Sequence, residues 1–304
     1  MSDGECPVVS IIVPLYNGAA TIAETLESLR SQAYQNLEVI VIDDGSTDQS
    51  AEIAQCFSSV FRYIYQPNAG QSCTLNRGWS MAKGRYLSYL SADDILYPNA
   101  VETLIKSLEE NPSISVIYPD YNLIDINSRV MRRINAPDFN PRDLVEKIIV
   151  QPGPAAFFRR EVFEATKGWK HDLKIAADFD FWLRAQAQGS FARYPHVLAG
   201  LRIHSKSQSV APLSERNCDE PIRVVQEFFA ETAAERIRWR RDYSLASAYA
   251  ISARFHMRSA RWHSARERIA AALRLDPSLL FQVRFWRLIA GGIRNFLSLA
   301  LRHS

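Results

Sequence analysis

Apolar residues in the first 120 positions come as short unbroken runs separated by stretches of helical spacing. Residues 8–15 (VVSIIVPL) form a β-branched run ending at a turn, and residues 21–32 then place Ile22, Leu26 and Leu29 on one helix face. The alternation continues with a strand at 37–42 (LEVIVI), a helix at 50–56, a strand at 61–65 and a helix at 72–81, with Gly84 as the expected C-terminal cap. A fourth strand at 85–90, a helix at 98–110 with Pro98 near its start, and a fifth strand at 114–118 follow. Strands apolar on both faces, alternating with helices, predict an α/β fold whose mainly parallel sheet is flanked by helices. The pattern weakens over 122–151, and the stretch 122–175 is expected to carry substrate specificity. From about 221 to 304 the periodicity is helical almost without interruption, so an all-α C-terminal region is expected.

Charge supports a division of the chain into residues 1–215 and 216–304. The formal charge of +3 hides 16 Arg, no Lys and 8 acids in residues 216–304, a net of +8, which leaves the first 215 residues at −5. A content of 47% hydrophobic and 23% charged residues is that of a globular protein rather than a disordered one. The four cysteines, Cys6, Cys56, Cys73 and Cys218, are irregularly spaced with no CxxC pair, which argues against a disulfide framework or a zinc site and fits a reducing, cytoplasmic compartment. The opening MSDGECPVV has no basic n-region of a signal peptide. The most apolar stretch, residues 279–301, is broken by Arg284, Arg287 and Arg294, so no membrane span is expected.

The candidate chemistry lies in aspartates. Asp43 and Asp44 follow the second strand and Asp93 and Asp94 the fourth, at the carboxyl ends of strands where parallel sheets bind ligands. Asp178 stands in AADFDFWLR. Clustered buried carboxylates are costly unless a cation or hydrogen-bond donors offset them, so the pattern points to a divalent cation and a phosphate-bearing ligand. Helix N-capping is the bland alternative for each; one Asp would satisfy it, and the pairs exceed it. Asn76 and Arg77 fall on the helix facing the same crevice, where a guanidinium would match a diphosphate and a surface ion pair is the competing role.

Four motifs in order, VSIIVPLYNG, VIDDGSTD, NAGQSCTLNRGWSMAKGRYLSYLSADD, and AADFDFWLR followed by LRIHSKSQS, make residues 8–212 resemble the family-2 inverting glycosyltransferases of GT-A fold. The resemblance implies transfer of a sugar, with inversion, from a nucleotide-diphosphate donor, UDP favoured, to a hydroxyl acceptor in polysaccharide, glycolipid or cell-surface glycan synthesis. By the same resemblance Pro14 and Tyr16 stack the base, Asp44 hydrogen-bonds it with Asp43 in support, Asp93 orients ribose, and Asp94 with His204 binds Mn²⁺ or Mg²⁺. Asn76 and Arg77 would reach the diphosphate, Asp178 would be the general base with Asp180 its rival, and Trp169 and the turn Pro152-Gly153-Pro154 would shape the acceptor side. Two departures stand out: Ser91 and Ala177 occupy positions where many relatives carry another acid. They keep open a catalytically impaired nucleotide-sugar-binding or scaffold protein. A nucleotidyltransferase is disfavoured, because VPLYNG lacks a Gly-rich phosphate loop.

The segment 244–277 resembles a single tetratricopeptide unit, which cannot bury its own face and is expected to dock on something else. Beyond it, Arg284, Arg287, Arg294 and Arg302 share one arc of a helical wheel while Phe281, Phe285, Trp286, Phe296 and Leu297 lie outside it. Two readings stay open: a peripheral contact with the cytoplasmic membrane face, or packing on the hairpin or in a homodimer. Gly291-Gly292 is expected to interrupt the helix. Arginines interleaved with large apolar residues, without a nucleic-acid module, argue against nucleic-acid binding.

Overall fold

The protein is described by a computed structural model covering residues 7–204 and 211–300; Cys6, residues 205–209 of the LRIHSKSQS motif and Arg302 lie outside the described residues. The strands are β1 (Val9–Leu15), β2 (Leu37–Asp44), β3 (Arg62–Gln66), β4 (Tyr86–Tyr89), β5 (Ile95–Leu96), β6 (Ile114–Ile124), β7 (Val130–Ile134), β8 (Phe157–Arg159) and β9 (Ser190–Arg202). The helices are α1 (Ile22–Arg30), α2 (Ser50–Gln55), α3 (Gln71–Met81), α4 (Ala100–Glu110), α5 (Pro141–Lys147), α6 (Arg160–Thr166), α7 (Ala177–Ala185), α8 (Glu215–Cys218), α9 (Glu220–Ala230), α10 (Arg241–Arg258), α11 (Trp262–Leu275) and α12 (Val283–Ala300). Two compact units form: Met1–Phe139 with Gln151–His171 and Arg184–His204, and Asn140–Val150 with Asp172–Leu183 and Ser205–Ser304.

The first unit holds one mixed sheet in the order β3-β2-β1-β4-β8-β6-β9-β5, with β7 added to β6. β1 to β4 run parallel, as the alternation of apolar strands and helices predicts. β8 is antiparallel to both its neighbours, while β6 and β9 pair in parallel. β1 is buried on both faces: Val9, Ile11, Val13 and Leu15 pack with Ile22, Leu26 and Leu29 of α1 and Leu104 of α4, and Ile12 lies under Gly78 of α3. The register sets Leu15 of β1 beside Asp43 of β2, so the first aspartate pair emerges at the carboxyl end of the central strands.

Two expectations change here. Gly84 is not a left-handed cap, since α3 ends through Ala82 in extended backbone; a Cβ at Gly84 would lie 2.5 Å from the Ser10 nitrogen, so the residue is needed for close approach to β1. β6 also continues past residue 118 to Ile124, and β5, β7, β8 and β9 join segments with no strand pattern of their own.

The second unit is helical. α10 is its centre, packed by α5, α9, α11 and α12, and its buried positions are mostly small: Ser244, Ala246, Ser247, Ala248, Ala250, Ser252 and Ala253. Small side chains let neighbouring helices approach closely. The hairpin of α10 and α11 closes its apolar face with Leu279 and Phe285. Asp219 ties three helices together, accepting from Ser252 Oγ at 2.5 Å and from Arg268 at 2.7 and 3.0 Å, with His256 Nε2 at 3.3 Å. Burial pulls its carboxyl upward, but the bonds from His256, Arg268 and Ser252 outweigh that and hold it well below the ordinary carboxylate range. α12 is continuous through Gly291-Gly292. Among the described residues no helix is long and apolar enough to cross a membrane.

Candidate active site

The loop after β2 is organised by its own aspartates. Asp43 accepts from the Ser46 N–H and the Tyr63 hydroxyl, both at 2.8 Å; burial and this carboxylate push the Tyr63 phenol up to about 12. Asp44 accepts from Gln66 Nε2 at 2.7 Å and from the N–H groups of Ala69 and Gly70 at 2.8 Å. Both carboxylates are buried, and neither caps α2, whose N-cap position is Gln49. A carboxylate has about four acceptor sites, so Asp44 keeps one after its three bonds. Pro14 is half-buried beside this loop, and the Tyr16 ring stands 54% exposed at the end of β1.

The SADD turn after β4 is pinned from several sides. Thr21, just before α1, and Thr25 of α1 donate to the Ala92 carbonyl at 2.9 and 3.0 Å, and Thr25 also reaches the Asp94 carbonyl at 2.8 Å. Asp94 is buried, and its carboxylate accepts from the Arg202 N–H at 2.8 Å and from the Ser91 hydroxyl. Burial and the neighbouring Asp93 push its pKa well up. Asp93 is the more exposed of the pair, and its Oδ2 lies 3.0 Å from His204 Nε2. The structure thus sets His204 beside Asp93, while β9 presents the Arg202 backbone N–H to Asp94.

Arg202, which sequence reasoning passed over, holds this arrangement. It is 1% exposed, and its guanidinium donates to the carbonyls of Asp93, Asp125 and Ile126, to Ser128 Oγ and to Glu24 Oε2 at 2.7–3.1 Å. The one visible signal was a charged residue inside the strand-like LRI.

Among the described residues, no group of three or more His, Cys, Asp or Glu side chains assembles. Asp93 and His204 nevertheless offer a carboxylate oxygen and an imidazole nitrogen side by side, a donor set that suits Mn²⁺ when waters and substrate phosphates complete its shell.

On α3 the expected diphosphate contacts part company. Both ends of the Asn76 amide go to Trp169, accepting its N–H at 2.8 Å and donating to its carbonyl at 2.7 Å. Asn76 thus fastens the turn at Gly168, where φ is +78° and a Cβ would sit 2.1 Å from the amide oxygen; Arg184 adds bonds to the Thr166 and Gly168 carbonyls. Arg77 remains exposed and donates to Gln66 Oε1 at 2.8 Å, which links it through Gln66 to Asp44. Trp169 is 6% exposed, packs edge-on to Tyr89 and Trp79, and its indole N–H has no protein partner among the described residues. Cys73 Sγ lies 3.0 Å from His171 Nδ1, with its thiol pKa pushed up by burial and by Asp44; no motif spacing links the two residues.

Asp178 belongs to the second unit, in the first turn of α7. Its carboxylate accepts from the Phe179 N–H at 2.7 Å. Burial pushes its pKa up to about 6, with the Phe179 N–H and its own N–H opposing the shift. Asp180 is 3% exposed and Ala177 2% exposed, so the position at which the resemblance implies an acid is a buried one here. The backbone leading into α7 is held by Glu220, whose carboxylate accepts from the N–H groups of Lys174, Ile175 and Ala176 at 2.7–3.0 Å. Glu220→Ala leaves these three donors bare in a buried place and is expected to cost about 2 kcal/mol, read as a lower urea midpoint at unchanged m-value.

Comparison with known proteins places these observations. The sequence model described as glycosyl transferase family 2 matches residues 10–166. An uncharacterized glycosyltransferase of Rickettsia prowazekii (strain Madrid E) is 33% identical over 219 residues, covering 69% of this chain and 68% of that protein. Relatives in Rickettsia bellii and Rickettsia felis are longer, and the matches span 31% and 35% of them. S. aureus TarS 1-349 in complex with UDP-GlcNAc superposes with a TM-score of 0.68 at 20% identity, over 95% of this chain and 89% of that one. The mannosyltransferase PcManGT from Pyrobaculum calidifontis in complex with GDP-Man and Mn2+ gives 0.59 at 19% identity, over 96% and 87%.

Proposed function

The chain belongs to glycosyl transferase family 2, with the GT-A architecture, and from that membership we propose that it moves a sugar from a nucleoside diphosphate, UDP favoured, to a hydroxyl acceptor with inversion. The acceptor belongs to a polysaccharide, glycolipid or cell-surface glycan. The observation that carries this reading is the juxtaposition of Asp93 and His204 beyond β4, on the same sheet in which β2 ends in Asp43 and Asp44. TarS was solved with UDP-GlcNAc and PcManGT with GDP-Man and Mn2+; both support a nucleotide-sugar donor, and the second a divalent cation.

In this reading Tyr16 stacks on the base beside Pro14, and Asp44 uses its remaining acceptor site for a base N–H while Asp43 fixes the loop. Arg77 faces the diphosphate, and Asn76 acts through the Trp169 turn rather than by contact. Asp93 and His204 hold the cation, which when bound supplies charge neutralisation on the leaving diphosphate. Asp94, by bonding the Arg202 N–H, sets where β9 releases His204. Asp178 takes the proton of the acceptor hydroxyl as that oxygen attacks the anomeric carbon and the bond to the diphosphate breaks.

The test is thermal stabilisation of the full chain by UDP-sugars and GDP-sugars, each with and without Mn²⁺. A ligand at about 100 times its Kd is expected to add roughly 2.7 kcal/mol. Asp93→Ala and His204→Ala should each remove the Mn²⁺-dependent part of the shift and spare the metal-free part. A chain that no nucleotide sugar stabilises, with or without Mn²⁺, would overturn the reading.

A further inference from the structure

α12 has two apolar faces, and only one is covered. Inward, Phe285 is buried and Leu288 and Ile289 pack with it against Ala246 and Ala250 of α10. Outward, at steps of three and four residues, stand Val283, Trp286, Ala290 and Ile293; the three large ones are 65%, 52% and 41% exposed. Phe281, at the end of the single turn Pro277–Phe281 that leads into α12, is 89% exposed. Trp286 is anchored there by its indole N–H, which donates to the Leu280 carbonyl at 2.8 Å.

One flank of this stripe is basic. Arg287 and Arg294 are exposed on it, and Arg254 of α10 comes up alongside Gly291, where an added Cβ would lie 3.6 Å from its Nε. Arg254 has no hydrogen bond or ion pair among the described residues, and burial together with the Arg294 charge presses its pKa below the ordinary range. Arg284, expected in the same basic arc, instead turns to the Lys147 carbonyl. Residues 277–304 contain no Asp or Glu.

We propose that this face of α12 docks on an anionic membrane surface, with Phe281, Val283, Trp286 and Ile293 entering the boundary between headgroups and acyl chains and Arg254, Arg287 and Arg294 meeting lipid phosphates. A partner for the face must be apolar along one edge and anionic along the other, which describes an acidic bilayer. A two-fold dimer on this face would bring no acidic residue of the helix to the arginines, because residues 277–304 contain none. The helix lies along the surface, since among the described residues no helix is long and apolar enough to cross.

The experiment is cosedimentation of the full chain with vesicles of phosphatidylcholine alone or mixed with phosphatidylglycerol. Binding is expected to the anionic vesicles only and to weaken with salt. Phe281→Ser with Val283→Ser should lower partitioning at least about tenfold, and Arg287→Gln and Arg294→Gln about fivefold each. All four side chains are exposed, and circular dichroism and melting should match the wild type. A wild-type chain left in the supernatant with anionic vesicles, or binding that neither pair of substitutions weakens, overturns the proposal. So does light scattering that finds a dimer which the same substitutions dissolve, since the face is then taken by a second copy.

Discussion

Asp178→Asn is expected to lower sugar transfer by about 10²- to 10⁴-fold while leaving donor binding intact, the loss typical of a positioned general base. It is also expected to make the protein more stable at neutral and alkaline pH. Burial raises the folded-state pKa of Asp178 to about 6, above its ordinary unfolded value of about 3.9. Folding therefore favours the protonated form, and the ionised carboxylate costs stability at every pH above that folded value. Asparagine carries no charge and is freed of the cost, a gain of about 3 kcal/mol at pH 8 that falls to roughly 0.5 kcal/mol near pH 4, where the folded carboxyl is protonated and the unfolded one about half so. Urea midpoints at the two pH values, with calorimetric titration of the donor, separate the effects. In the wild type the same carboxyl should give kcat/KM an acid limb near pH 6. A variant with undiminished transfer would remove Asp178 from the role, and one less stable at pH 8 would show that its hydrogen bonds outweigh its burial.

Arg202→Lys is the substitution with the largest expected effect on the fold. Five bonds radiate from one planar group to three carbonyls, a hydroxyl and a carboxylate. An ammonium has three donors at a single point and cannot span them. Buried acceptors left bare cost about 1–3 kcal/mol each, and relaxation recovers part of that, so a loss of about 3 kcal/mol is expected. Because the Arg202 backbone N–H also seats Asp94, the loosened strand end should displace His204 from Asp93. The Mn²⁺-dependent part of donor stabilisation should then disappear even where the variant remains folded. A lysine variant that melts with the wild type and keeps that dependence would reduce Arg202 to a passive filler.

The sheet was legible where strands are buried on both faces. LEVIVI and VVSIIVPL have no polar face to present, so their neighbours had to be helices, and β1 to β4 followed. β9 was not legible, because SFARYPHVLAGLR interleaves Arg193, His196 and Pro195 with apolar residues, and its pairing with β6 shifts register at several points. The aspartate pairs were visible as carboxylates after apolar strands, but which donors each would meet was not. Asn76 illustrates the limit: its place on α3 fits a phosphate contact, whereas the turn at Gly168, 92 residues on, claims both ends of its amide. The arginine arc of the tail split in the same way, Arg284 going to a backbone carbonyl and Arg287 and Arg294 staying in solvent.

By itself the sequence determined the α/β class, the family and the places where carboxylates leave the sheet, because these follow from local periodicity and the order of short motifs. Tertiary structure decided that Asp93 meets His204, that Arg202 clamps the SADD turn, that Glu220 holds the backbone entering α7, and that α12 leaves one apolar face uncovered. Each of these depends on which distant backbone donor or helix arrives first at a side chain, and residue spacing along the chain does not encode that.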